Sequence, residues 1–341
     1  MGVAKLAPGP GNVGLAERPE RELGPGEVRL EVHGAGVCGT DLHIEADEFR
    51  SMPPVTMGHE VCGVVVELGD GVPVDWLDAR VVSETYFSTC GRCEWCLDGR
   101  INLCPERRSI GSFVDGAFAP SVIVPARNLH RIPDWLDDHA APLAEPLACV
   151  CQCLYDPRVV SSGDRVVVVG PGPVGLLAAQ VARAQGGDVL VVGLPVDELR
   201  LEAAAGLGLE VAHDVAADSY DVVIECSGSE SGARTCLSAA RRGAHYVQIG
   251  VFGKEVTLPL DAIFEKELVV TSGFASTPRS WLRALALIEA RSVELPALVS
   301  GVAPLHAWER VFSELRSGKG IKIVFDPRLD ETPSTPPTSG G

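Results

Sequence analysis

The order of apolar and polar positions divides the chain into two kinds of segment. Up to about residue 140 the apolar positions alternate in short runs broken by Gly and Pro. In VRLEVHGAG, Val28, Leu30 and Val32 point one way while Arg29, Glu31 and His33 point the other, which is a half-buried strand with His33 outward. VCGVVVELG at 61–69 reads as another strand, with Cys62 a small apolar filler. Asp70-Gly71 then turns the chain, and VDWLDARVV leads into a further strand. SIGSFVDGAFAPSVIVPARNLHRIPD returns to the same alternation, with His130 expected at the surface near a strand end.

At Arg165 the pattern changes. DRVVVVGPGPVGLLAAQVARAQGGDVLVVGL is a continuous apolar strand, a glycine-rich turn, an amphipathic helix and a second strand. DVVIECSG, SGARTCLSAARR, AHYVQIGV, LVVTSGF and RSWLRALALIEA continue the strand–helix alternation. The whole predicts an α/β chain, with a β-rich region followed by a doubly wound parallel sheet. VELPALVSGVAPLHAWERVFSELRSGKGIKIVFDP then adds a strand, a helix with His306 at its start, and a final strand. The tail RLDETPSTPPTSGG, rich in Pro, Ser and Thr, is expected to be disordered.

A length of 341 residues is about twice that of a usual domain, so two domains are expected, and 46% apolar residues suffice for two cores. The net charge of −17 argues against nucleic acid or an acidic membrane surface as partner. No apolar run approaches the roughly twenty residues that span a bilayer, and the N-terminus lacks the apolar core of a signal peptide. Eleven cysteines, several in Cys-x-x-Cys spacing, favour metal binding in a reducing, cytoplasmic compartment over disulfides.

The most specific chemical signal is Cys90, Cys93, Cys96 and Cys104, in C-x2-C-x2-C-x7-C spacing. Four thiolates close a tetrahedron and leave no position open for chemistry, so this is a structural zinc site. An iron–sulfur centre is the rival; the short polar excursion LDGRIN and the lack of an electron-transfer partner sequence favour zinc. The stretch GVCGTDLHIEADEFRSMPPVTMGHE offers Cys38, His59 and Glu60, a mixed donor set that suits a catalytic zinc with one open position. Glu145 stands alone in APLAEPLACVCQC, followed by Pro146. It either marks a helix start or bonds the metal or its water. Cys149, Cys151 and Cys153 alternate and are expected to be small buried residues.

Gly170, Gly172 and Gly175 form G-x-G-x-x-G between a strand and a helix, which permits the tight turn and the approach of a dinucleotide pyrophosphate to the helix N-terminus. The acid that normally binds the ribose hydroxyls is missing: Gly193 stands in its place. Arg200, in the loop that follows, leaves room for a 2′-phosphate and tilts the expectation toward NADP, while Asp197 or Glu198 offers a substitute acid.

Together GVCGTDLH, GHE, the four-cysteine lobe, AEPLA and GPGPVG, in this order, resemble the zinc-dependent medium-chain dehydrogenases. His59 beside Glu60 and the Glu145–Pro146 pair resemble the polyol, glucose and threonine dehydrogenase branch. The resemblance implies a GroES-like catalytic domain over 1–147, a Rossmann domain over 148–289, a return segment over 290–327 and a tail over 328–341. It implies two zinc ions per chain, NAD or NADP, a small alcohol or sugar substrate, and a homo-oligomer, tetramer or dimer. It also implies that Thr40 and His43 relay the alcohol proton, that Glu145 assists the metal, and that Pro173, Val174, Ser227, Gly250 and Gly273 join the cofactor site. The expected reaction is hydride transfer between a secondary alcohol and NAD(P). A threonine-type amino-alcohol dehydrogenase, a zinc-independent reductase on the same fold, and a non-catalytic dinucleotide-binding sensor are the alternatives.

Overall fold

The computed structural model describes residues 1–19 and 21–331. Most of the tail expected to be disordered, 332–341, lies outside the described residues. Its first residues do not: Pro327–Glu331 forms a 3-10 turn.

The alternating segments build a mixed sheet in the order Leu129–Arg131, Arg80–Ser83, Glu60–Leu68, Glu27–Gly36, Lys322–Phe325, Val299–Ala303, with Ser121–Pro125 also paired to Glu27–Gly36. Val28, Leu30 and Val32 are fully buried on one face, as the period-2 pattern requires. The last two strands come from the far end of the sequence. Val324 pairs with Gly36 and Phe325 with Ala35, antiparallel, so the chain returns to its first sheet after building the second.

The second sheet has six parallel strands in the order Glu210–Ala212, Asp188–Val192, Arg165–Val169, Tyr220–Glu225, Ala240–Gln248, Val269–Ser272. The run Val166–Val169 is buried along its whole length because helices cover both faces. The strand order reverses beside Arg165–Val169, and the crevice at that point is where such sheets take their ligands.

Helix Ala144–Tyr155 joins the two sheets. It packs on helices Pro173–Ala184 and Pro278–Glu289 from one side and on strand Glu60–Leu68 from the other. A helix apolar on nearly every face is a buried helix, and ten of its twelve residues are buried. A domain boundary at 147 falls inside it.

Two histidines differ from expectation. His130 is half-buried, stacked on Trp281 with ring centroids 5.3 Å apart, and its Nε2 lies 3.0 Å from Glu84. The edge strand that carries it is covered by helix Pro278–Glu289, which the strand's own sequence does not reveal. His33 places Nδ1 2.9 Å from Asp138, in a charged cluster with Arg80, Arg328, Asp326 and His139. This cluster fastens the returning segment to the first sheet.

Burial opposes the charge on Asp326, but hydrogen bonds from Arg328 and His139 outweigh it and hold the carboxyl at about 2, against an ordinary 3.8. A depressed carboxyl stabilises the fold above its unfolded value and loses that contribution as pH falls toward the folded one. Asp326→Asn should therefore lower the thermal midpoint at pH 7, and the gap to wild type should close as pH falls from about 3.8 to about 2. Thermal unfolding of both proteins across pH checks this.

Candidate active site and metal centres

Cys38 lies two residues past strand Glu27–Gly36 and caps the short helix Gly39–Glu45. Its backbone N–H donates to Asp41 Oδ2 at 2.9 Å, and its thiol lies 3.7 Å from the Thr40 hydroxyl. The backbone cap is thus made by Asp41, so Thr40 is not needed for it. His59 and Glu60 stand at the start of strand Glu60–Leu68, which pairs Glu60 with Gly36. Gly36 is required there, because a Cβ would stand 2.0 Å from Glu60 Oε2. One donor atom each from Cys38, His59 and Glu60 lies within 4.8 Å of the others.

The donor set fits zinc. His59 Nδ1 is 3.7 Å from Asp41 Oδ1, a buried oxygen without a hydrogen-bond partner, so Nδ1 faces the carboxylate and Nε2 is the nitrogen left for a metal. Burial alone would lower the pKa of His59, but Asp41 and Cys38 raise it well above the ordinary value. Excess negative charge therefore surrounds the site, as a cation site requires.

Glu60 also has a partner that the sequence reading missed. Lys322 Nζ donates to both its oxygens, at 2.7 and 2.8 Å, and to the Val37 carbonyl at 3.0 Å. Burial works against the Lys322 ammonium, but Glu60 and Cys38 more than compensate and its pKa rises. The available signal was a single lysine inside the apolar strand KIVF, where a cation needs a buried anion.

Glu145 lies in the first turn of helix Ala144–Tyr155, at a helix start, and is 5% exposed. Burial raises its carboxyl to about 7, His59 and Lys322 pull it down and Glu60 pushes it up, so it sits among the candidate ligands. Cys149, one turn on, lies with its thiol 3.5 Å from Glu145 Oε1, while Cys151 and Cys153 are buried as expected. His43 Nδ1 lies 2.6 Å from Glu48 Oε2; since a carboxylate only accepts, Nδ1 carries the proton and Nε2 is the free nitrogen.

The four thiols Cys90, Cys93, Cys96 and Cys104 gather within 4.8 Å around helix Glu94–Leu97. The backbone N–H groups of Arg92 and Cys93 lower Cys90 to about 6, ready for a thiolate ligand. All eleven cysteines are free.

A cavity of about 420 Å³ opens at the switch point of the parallel sheet, lined among others by Gly170, Gly193, Ser227, His213 and Arg234. Gly172 leaves open space at the start of helix Pro173–Ala184, whereas a Cβ at Gly175 would stand 1.9 Å from the Gly170 carbonyl. The motif glycines thus serve approach and packing respectively. Pro173 and Val174 open the helix. Gly250 and Gly273 do not line the cavity; they admit Glu225 and Cys153 to close contact.

Arg200 is a correction. Its guanidinium donates from Nε and Nη2 to the Gly320 carbonyl and pairs with Asp197 at 3.4 Å, so it faces the return segment and does not line the cavity. A position in a helical turn does not reveal which neighbour holds its long side chain. Gly193 has a steric reason: a Cβ there would lie 2.8 Å from the Pro171 ring.

Residues 24–134 match the alcohol dehydrogenase GroES-like domain family, and residues 173–290 the zinc-binding dehydrogenase family. The chain belongs to the zinc-dependent medium-chain dehydrogenases. A sorbitol dehydrogenase of Halalkalibacterium halodurans is 37% identical, across 95% of this chain and 98% of its own. A D-arabitol-phosphate dehydrogenase of Enterococcus avium is 31% identical, across 97% and 98%. A zinc-binding dehydrogenase of Sinorhizobium meliloti 1021, crystallised with NADP, superposes with TM-score 0.87 at 31% identity, over 96% of this chain and 98% of that one. The GroES-like and Rossmann-like parts expected from the sequence are those of this family.

Removing Lys322 from this dehydrogenase would leave a buried carboxylate without its cation, a loss of about 3–5 kcal/mol. Lys322→Met should destabilise by that amount in urea unfolding. Adding Glu60→Gln should recover much of it, a coupling that a double-mutant cycle reads directly.

Proposed function

We propose that the chain oxidises a secondary alcohol of a polyol or polyol phosphate to a ketone, reversibly, with NAD or NADP. The observation that carries this reading is the convergence of Cys38, His59, Glu60 and Glu145 at one buried site, in a chain that also has the dinucleotide cavity. The sorbitol and arabitol-phosphate relatives support the substrate class.

Cys38, His59 and Glu60 would hold the catalytic zinc, with Glu145 bonding it or its water. When bound, zinc supplies Lewis acidity to the alcohol oxygen and the dinucleotide supplies the hydride acceptor. Thr40 accepts the alcohol proton and passes its own toward His43, whose free Nε2 is the basic atom. Glu48 fixes that tautomer through Nδ1–H and opens the relay to solvent, being half exposed. Burial raises the Glu145 carboxyl to about 7 before any cation is bound, and a cation held beside it would favour the ionised carboxylate. Cys90, Cys93, Cys96 and Cys104 would hold a second, structural zinc. The cavity would seat the dinucleotide on Gly170, Gly172, Pro173, Val174 and Gly175, with Ser227, Gly250 and Gly273 shaping the loops beside it. Arg200 no longer supports a lean to NADP, whereas the bare Gly193 keeps a 2′-phosphate admissible.

We place the units at 1–147 with 290–327, and at 148–289, and the protein in the cytoplasm. Strand Val269–Ser272 is one of the two edges of the parallel sheet, and Val269 and Val270 are each 47% exposed beside Phe264 at 85%. An edge of this kind supports pairing with a second copy, and hence a dimer or a tetramer built from dimers.

Metal analysis of the wild type should find two zinc ions per chain. Cys96→Ser should lose one of them and destabilise or aggregate the protein, since such a site contributes on the order of 10 kcal/mol to local folding. Cys38→Ser should lose the other, with turnover abolished and the fold kept. One zinc, or iron, in the wild type would count against the assignment.

Turnover on a panel of polyols, polyol phosphates and amino alcohols with each dinucleotide tests the activity. No turnover on any member overturns the reading in favour of a dinucleotide-binding sensor, and selective turnover of amino alcohols moves it to the threonine type. With the best substrate, Glu145→Ala should lower kcat about a hundredfold or more while leaving cofactor affinity nearly unchanged. A variant with normal kcat would make Glu145 a helix-start residue only.

A further inference from the structure

With Arg200 turned away and a Cβ at Gly193 blocked by the Pro171 ring, His213 is a group placed to read the outer end of the dinucleotide cavity. His213 lines it, just past strand Glu210–Ala212, and its Nδ1 lies 3.0 Å from the Gly193 carbonyl. A carbonyl only accepts, so Nδ1 carries a proton in every state, and all of the ring's variability is at Nε2. The neutral ring offers an acceptor there, which suits a ribose hydroxyl. The charged ring offers a donor and a positive charge, which suit a phosphate.

The groups facing this ring decide what else competes. From the loop and helix start after Gly193, Asp197 is engaged by the Leu194 N–H and Arg200, and Glu198 Oε2 lies 3.7 Å from His213 Nε2. Asp214 follows on the chain. From helix Glu230–Ala239, Arg234 lines the same cavity and pairs with Glu230 at 3.1 Å. Among the described residues, Arg200 and Arg234 each have a carboxylate partner.

We propose that His213 reads the adenosine 2′ position, its neutral ring accepting from a 2′-hydroxyl and its charged ring holding a 2′-phosphate, so that pH sets the choice between NAD and NADP. This rests on the reading of the cavity as the dinucleotide site, and it is independent of which alcohol the enzyme uses.

The test measures binding, by titration calorimetry on the zinc-loaded protein, of adenosine 5′-monophosphate and adenosine 2′,5′-bisphosphate between pH 8.5 and 5.5. In the wild type the bisphosphate should gain on the monophosphate by about tenfold to a hundredfold toward acid, the size of one charge-assisted hydrogen bond. A phosphate loses charge near pH about 6, which works the other way. His213→Gln isolates that opposing effect, and in it the ratio should stay flat or fall. Glu198→Gln, which removes the competing acceptor, should tighten the bisphosphate and leave the monophosphate alone. A wild-type ratio that follows His213→Gln at every pH overturns the proposal. Binding of neither nucleotide overturns it together with the cavity assignment, whereas an inactive substrate panel with the pH-dependent ratio intact refutes only the polyol reading.

Discussion

The fold depends on the return of the chain to its first sheet. Strand Lys322–Phe325 lies against Glu27–Gly36, some three hundred residues earlier, and the pairing is locked by a buried ammonium on a buried carboxylate. A buried ion pair is a poor source of net stability, yet it is intolerant of any other partner, and this gives it value as a register device. Slipping the strand by one residue would move Lys322 to the other face and leave Glu60 bare. The same Glu60 is a candidate ligand, so the end of the chain sets the charge at the start of the catalytic site. The first sheet cannot close without also completing the surroundings of Glu60, and the parallel sheet is inserted in the chain between its two parts.

Helix Ala144–Tyr155 transmits this arrangement. Its first turn brings Glu145 to the candidate ligands, and further along Cys153 packs under Gly273 at the end of the parallel sheet. One rigid element thus fixes the distance between the metal side and the cofactor side. Asn102, from the cysteine lobe, donates to the Phe274 carbonyl next to Gly273, and Arg107 lies 4.3 Å over the Phe274 ring. The lobe rests on the same loop.

Legibility in the sequence followed the range of the interactions. The alternating strands, the glycine-rich turn and the cysteine lobe were readable because the pattern of each is written within one short stretch of chain, and so was the family they resemble. Cys38, His59 and Glu60 were readable because each belongs to a short motif. Lys322 was not, since its partner is 262 residues away. Arg200 was misread for the same reason: the Gly320 carbonyl that holds it is 120 residues distant. His213 left no mark, because a lone histidine after a short exposed strand looks like any surface residue. His130 needed the helix that covers it.

The Pro171 ring beside Gly193 bears on how this enzyme can change over generations. In a binding loop with free space, exchanging glycine for an acid is a single step that retunes cofactor use. Here the side chain would meet the proline at 2.8 Å, so the step is open only after Pro171 has yielded. The two positions form an ordered pair of changes, and a lineage that keeps the proline also keeps its cofactor choice in the hands of the residues around the pocket.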